Sequence, residues 1–306
     1  MKAMILAAGL GTRLRPLTDT RPKALVEVAG RTLLEITLTR LRSFGVNEVI
    51  VNVHHFADMV VDYLKSKNNF GMRIEISRED DLLLDTGGGL KKAAWFFLEN
   101  ARHSPLATCH SLTEPFIVHN VDVISTIDLG RMLQFHNEHR ALATVAVQSR
   151  ESSRLLLFND QLQLSGRAVP SNFRTAAQRP DPVIPSEARN LSSPSDSSSP
   201  HSNVSTDCHS EPACAGRRSE ESAFSSNSPL ATRHSPLAFS GIHIISPRLL
   251  PMLTEEGVFS IIDSYLRLAA QGEKILAFRA DEYYWRDLGR PADLAQAALD
   301  LQQQMP

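Results

Sequence analysis

The densest set of groups able to handle a polyphosphate lies near the amino terminus, in Ala7-Ala8-Gly9-Leu10-Gly11-Thr12-Arg13-Leu14-Arg15-Pro16-Leu17-Thr18, with Pro22-Lys23 close behind. Gly9 and Gly11 let backbone N–H groups approach phosphate oxygens, and Arg13 and Arg15 add fork-shaped, charge-assisted donors. Lys23 adds a point charge on a turn stiffened by proline. Two common glycine-loop readings fail. A dinucleotide loop needs a third glycine where Leu14 stands, and a Walker-type loop needs Gly-Lys-Ser/Thr. What is left is an anion cradle, or a glycine turn with solvated arginines.

Further along, Phe116-Ile117-Val118-His119-Asn120-Val121-Asp122 is an apolar run ending in a carboxylate, and Asp287 sits in Tyr284-Trp285-Arg286-Asp287-Leu288-Gly289-Arg290-Pro291. Each acid could be a hard oxygen ligand for Mg²⁺, and each could equally be a turn or capping residue. Leu84-Asp85-Thr86-Gly87-Gly88-Gly89-Leu90 precedes a helical pattern; Asp85 or Thr86 could cap that helix, and the glycines could admit a flat ligand or merely make a turn. Histidines 54, 55, 119, 136, 139 and 243 lack metal-ligand spacing and are expected in core or surface roles.

The run from Gly9 to Thr18 followed by Pro22-Lys23 resembles the signature of the sugar-nucleotide pyrophosphorylases, that is, the sugar-1-phosphate nucleotidylyltransferases. Within that family the chain is most similar to the bacterial N-acetylmuramate-1-phosphate uridylyltransferases and the mannose- or heptose-1-phosphate guanylyltransferases. The resemblance implies that Ala8, Gly9, Gly11, Thr12, Arg13 and Lys23 bind the nucleoside triphosphate, with Thr86 and Gly87 at the nucleoside. It implies Asn120 and Gly241 at the sugar phosphate, Asp122 and Asp287 on Mg²⁺, and catalysis by Arg13, Lys23 and Asp122. Val121 stands where the family's Asn-Gly-Asp has glycine, Arg290 where Trp-x-Asp-x-Gly-Thr has threonine, and the family's Glu-Lys-Pro element has no counterpart. The activity implied is nucleotidyl transfer from UTP or GTP to a sugar 1-phosphate, serving cell-envelope polysaccharide. The rivals are a cytidylyltransferase acting on a phosphorylated alcohol such as choline phosphate, and a catalytically silent nucleotide-binding subunit.

These groups need a scaffold, and the first half alternates strand and helix patterns. Strands are expected at Lys2 to Ala7, Glu48 to Asn52, Arg73 to Ser77, Phe116 to His119 and Ala143 to Gln148. Helices are expected at Thr32 to Phe44, Ala57 to Lys67, Gly89 to Glu99 and Asp128 to Glu138. Later come strands at Phe239 to Ile245 and Ile275 to Ala280, and helices at Pro247 to Leu253, Ile261 to Gln271 and Pro291 to Gln304. The expected fold is α/β: a Rossmann-like mixed, mostly parallel sheet flanked by helices, of the nucleotide-diphospho-sugar transferase type. Residues 1–306 read as one nucleotidyltransferase domain interrupted by a Ser/Pro-rich, disordered insertion over 167–237. Arg-His-Ser-Pro-Leu-Ala occurs at 102–107 and again at 233–238, and both copies read as loop expansions.

A net charge of −2 gives no global field for nucleic acid or acidic lipid, so phosphate recognition must be local. Cys109, Cys208 and Cys214 form no CxxC pair, so neither a disulfide framework nor a zinc site is expected. No apolar run is long enough to span a membrane, and the start of the chain runs into the arginine loop rather than a cleavage site. A cytoplasmic monomer or small homo-oligomer is expected, with no nucleic-acid or membrane partner.

Overall fold

A computed structural model describes residues 1–98, 114–168 and 234–303. The three cysteines and the first Arg-His-Ser-Pro-Leu-Ala copy lie outside them. β1 (Lys2–Leu6) is followed by a short hairpin, β2 (Glu27–Val28) and β3 (Arg31–Thr32), and then by α1 (Leu33–Ser43). Thr32 starts α1 because its Oγ1 accepts the N–H of Glu35 at 3.1 Å, as an N-cap does. Next come β4 (Glu48–Val53), α2 (Ala57–Ser66), β5 (Arg73–Arg78), α3 (Asp85–Lys92) and α4 (Ala94–Leu98). The helix expected over Gly89 to Glu99 therefore begins earlier, takes in all three glycines, and breaks at Ala93.

β6 (Phe116–Asn120), β7 (Val123–Ser125), α5 (Leu129–His139) and β8 (Ala143–Gln148) follow, then β9 (Leu155–Phe158) and β10 (Leu164–Arg167). After residue 233 come β11 (Ser235–Ile245), α6 (Ile261–Ala270), β12 (Ile275–Arg279), β13 (Trp285–Asp287) and α7 (Pro291–Gln302). Pro247–Met252 is a 3-10 turn rather than an α-helix, as suits a segment with Pro251 inside it.

The main sheet runs β10-β9-β11-β6-β1-β4-β5, with β8 on β11 and β12 on β8. β1, β4, β5 and β6 pair in parallel, as do β8 and β12, and of the sheet's strands only β10 and β11 run against the rest. Both faces are covered. Ala3 and Ile5 of β1 point into one apolar cluster and Met4 into the other, and Val49, Val51 and Ile50 of β4 divide the same way. Buried His119, His136 and His243 have pKa values lowered to about 4, 4 and 3, chiefly by desolvation, so they are neutral core residues at neutral pH.

Strand structure reaches into both ends of the range 167–237. Arg167 ends β10, and Ser235, Pro236 and Leu237 already pair with Phe158, Leu157 and Leu156 of β9. Leu237 is buried, so apolar packing on β9 makes strand out of what reads locally as a loop expansion. The chain divides into a unit of Met1–Pro170 with Thr232–Pro306 and another, Ser171–Ala231, which lies outside the described residues. Among the described residues no helix is long and apolar enough to cross a membrane.

Candidate active site

β1 ends at the carboxyl edge of the parallel strands, where open α/β sheets bind ligands. The loop beyond it is held by its own backbone. Gly11 adopts φ 64°, and its carbonyl accepts the Leu14 N–H at 2.8 Å and the Thr18 hydroxyl at 2.9 Å. A Cβ on Gly11 would lie 2.9 Å from Thr18 Cγ2 and 3.1 Å from Lys23 Cβ, so glycine is required by the fold there. Leu14 fills the core at the position where a dinucleotide loop would carry glycine. Gly9 differs: a Cβ there meets nothing within 4 Å, so its bareness serves the open side. Thr12 and Arg13 stand exposed on the 3-10 turn Thr12–Leu14.

Lys23 opens the 3-10 turn Lys23–Leu25 and is buried, with its Nζ donating to Asp122 Oδ2 in an ion pair. Asp122 occupies the turn between β6 and β7. β7 pairs antiparallel with β13, setting Asp287 opposite Val123, and the Leu288 N–H donates to the Asp122 carbonyl at 2.8 Å. Two acids far apart in the chain thus meet. Burial raises the Asp287 pKa and the Asp122 charge raises it further, while Lys23, Arg13 and the Gly289 N–H oppose the shift. Asp287 Oδ1 is buried without a hydrogen-bond partner. A buried, orphaned carboxylate oxygen beside a second carboxylate is a hard-oxygen donor set that fits Mg²⁺. A Cβ at Gly289 would sit 2.6 Å from Arg13 Nη2 and 2.8 Å from Asp287 Oδ1, so that glycine lets guanidinium and carboxylate close in.

A cavity of about 370 Å³ opens beside Lys23 and Asp122, floored by Ala7, Ala8 and Gly9 and walled by Asn120 and Thr86. Gly241, at φ 76°, stands behind Asn120: a Cβ there would lie 2.9 Å from Asn120 Nδ2 and from Val123 Cγ2. Gly87 does not line the cavity. A Cβ on it would lie 2.3 Å from the Phe259 ring, and its N–H donates to the Phe259 carbonyl at 2.9 Å. The three glycines bring α3 against residues 257–261, against Glu79 and against Asn52. Nor does Thr86 cap its own helix, since its Oγ1 accepts from the Ile261 N–H at 3.0 Å and so helps cap α6.

Sequence reasoning missed Asn52 and Glu79. Asn52 Oδ1 accepts the Ala7 N–H at 2.7 Å, and its Nδ2 donates to Glu79 Oε1 at 2.7 Å. Glu79 Oε2 accepts the Leu84 N–H at 2.9 Å, so one network ties the loop after β1 to the approach of α3. The signal was a polar residue inside the apolar run Val49-Ile50-Val51-Asn52-Val53.

The arrangement is that of an α/β protein with a lysine, an arginine and two carboxylates gathered beyond the ends of its parallel strands. The family model for nucleotidyl transferases matches residues 2–155, and the chain belongs to that family. It is 55% identical over 93 residues to N-acetylmuramate alpha-1-phosphate uridylyltransferase of Caulobacter vibrioides, covering 30% of this chain and 38% of that protein. It is 33% identical over 157 residues to UTP--glucose-1-phosphate uridylyltransferase of Synechocystis sp., covering 49% and 37%. The chain spans about half or less of the length of the curated relatives it matches. Among solved structures, UDP-glucose pyrophosphorylase complexed with UDP-glucose superposes with a TM-score of 0.63 at 16% identity, covering 99% of this chain and 98% of that one. HddC from Yersinia pseudotuberculosis complexed with GMP-PN superposes with a TM-score of 0.60 at 17% identity, covering 98% and 99%. These superpositions are likenesses of fold.

Proposed function

We propose that the chain transfers a nucleotidyl group from a nucleoside triphosphate, UTP or GTP, to a sugar 1-phosphate, releasing pyrophosphate. The observation that carries the proposal is the meeting of Lys23, Asp122, Asp287 and Arg13 beyond the strand ends, the first two lining one cavity and the last two the cavity next to it. The names of the relatives support the same reaction class. The triphosphate lies along Ala8, Gly9 and Gly11, with the nucleoside toward Thr86 and the acceptor toward Asn120. An acceptor phosphate oxygen attacks the α-phosphorus in line, the bond to the bridging oxygen breaks, and pyrophosphate carries that oxygen away. The attacking oxygen is already anionic near neutral pH, so no general base is needed. Lys23 and Arg13 stabilise charge that builds on the phosphates, from positions fixed before the reaction. Asp122 and Asp287 would hold Mg²⁺, which supplies charge neutralisation to the phosphate oxygens. The reading extends to a cytoplasmic enzyme, where nucleoside triphosphates are made, that works as a monomer or small homo-oligomer; the name of the N-acetylmuramate-acting relative supports a role in cell-envelope polysaccharide.

The test is a pyrophosphate-release screen crossing UTP, GTP, CTP and dTTP with common sugar 1-phosphates and choline phosphate, with Mg²⁺ and with chelator. Release with UTP or GTP and a sugar 1-phosphate, lost on chelation, is expected. Release only with CTP and choline phosphate, or nucleotide binding without release from any pair, would refute the proposal.

A further inference from the structure

Beside the carboxylate pair lies a second cavity, of about 410 Å³, lined by Arg13, Arg150, Arg290 and Trp285 together with the acids Glu151, Asp287 and Asp293. Among the described residues Arg13, Arg150 and Arg290 form no ion pair with a carboxylate. Acids share the lining, but guanidinium groups that no carboxylate engages keep their fork-shaped donors available to an oxyanion.

Arg150 is the most constrained of the three. Its guanidinium lies 3.7 Å from the centroid of the Trp285 ring, and that ring is pinned by its own Nε1–H donating to the Ser240 carbonyl at 2.7 Å. Arg150 Nη2 donates to the Phe239 carbonyl at 2.7 Å, while its Nε is buried with no partner. Burial pulls its pKa down and the Asp287 charge pulls it back up. A guanidinium stacked, tethered at one nitrogen and left with unused donors beside the reacting site is preorganised for a bidentate oxyanion.

Its direction of approach says which oxyanion. Arg13 shares the cavity but comes from the loop after β1, whereas Arg150 is tied to β11, across β6 from β1, two residues before the Gly241 that backs Asn120. In-line displacement puts the attacking and leaving oxygens on opposite sides of the α-phosphorus. The β1 side takes the triphosphate and its departing pyrophosphate in the function proposed above, on which this step rests.

We infer that Arg150, held on the Trp285 ring, binds the phosphate of the acceptor sugar 1-phosphate and orients its attacking oxygen. Initial rates of the full chain and of Arg150→Gln and Arg150→Lys, measured in both directions, test it, each variant first compared with the parent by thermal unfolding. KM for the sugar 1-phosphate should rise about ten- to a hundredfold in Arg150→Gln, the range for losing hydrogen bonds to a charged group. It should rise less in Arg150→Lys, which keeps the charge and loses the fork. KM for the nucleoside triphosphate, and for pyrophosphate in the reverse direction, should stay unchanged. A rise confined to pyrophosphate or triphosphate would assign Arg150 to the leaving group and overturn the inference, and so would kinetics that leave every KM unmoved. A parent inactive on all pairs would sink the proposed function itself, whereas an active parent with an unmoved acceptor KM in both variants would sink only the role of Arg150. If Arg150→Gln fails to fold, Arg150→Lys still decides.

Discussion

Burial and the nearby Asp122 raise the Asp287 pKa, so at neutral pH the fold carries a carboxylate that would be better solvated in the unfolded chain. A raised folded pKa favours the protonated form. The stabilising contribution is therefore full below the ordinary aspartate value of 3.8 and is lost as pH rises through the folded value. Asp287→Asn should consequently raise the thermal midpoint at pH 7, by about 2–4 °C for each kcal/mol recovered, and the gain should shrink toward pH 3.8 and below. Mg²⁺ should raise the parent's midpoint and leave that of the variant where it is, because only the parent has both carboxylates to bind it. A lower midpoint for Asp287→Asn at pH 7 would contradict this account. The partners Lys23 and Asp122 behave differently, since each neutralises the other in a buried ion pair. Removing either by alanine should lower turnover on the order of a hundredfold or more, as expected for a preorganised electrostatic group. A folded Lys23→Ala or Asp122→Ala protein with the parent's rate would refute the assignment.

Glycines that look alike in sequence answer to different elements. Gly9 faces open space, so Gly9→Ala should leave the thermal midpoint within a degree or so while raising KM for the nucleoside triphosphate. Gly88 has no such freedom, because a Cβ there would lie 2.5 Å from the Gly257 carbonyl and push α3 off the loop before α6. Gly88→Ala should destabilise by about 1–3 kcal/mol, as overpacking does. Equal midpoints for the two variants in thermal unfolding would show that the helix seat is not as tight as described. Here lies the boundary of what the sequence could tell. The loop after β1 was legible because its glycines, arginines and proline act locally, and the strands near it because they are apolar on both faces. The packing role of the α3 glycines is not legible in the sequence, because what they touch, Phe259 and Gly257, is far away in the chain. β7 and β13 are three residues each, too short for any periodicity to announce them, yet their pairing is what sets Asp287 beside Asp122. Arg150 gave no signal either, since its stack on Trp285 exists only once β8 and β13 are in place.

At the scale of the whole molecule, the two strands flanking β9 constrain what may be removed between them. β10 and β11 lie on opposite sides of β9 and run the same way, with Arg167 opposite Leu156 and Ser235 opposite Phe158. A connection must therefore cross two strand spacings and climb two residues along β9, about 12 Å in all. Replacing Ser171–Ala231 with four Gly/Ser residues leaves about ten residues between the strands, enough for a Gly/Ser-like r.m.s. span of roughly 17 Å. Shortening the loop also lowers its closure entropy, by about 1–2 kcal/mol on the logarithmic law. Thermal unfolding of this deletion should accordingly show one transition with a midpoint equal to or above the parent's, and pyrophosphate release should persist. The wider deletion of 167–237 should fare worse, because it strips Leu237, 2% exposed, from its place against Leu156 and removes the first rungs of β11 on β9. If the narrower deletion collapsed the transition, Ser171–Ala231 would be needed by the sheet itself; if both deletions unfolded alike, the β9–β11 rungs at Ser235–Leu237 would not contribute to stability as described.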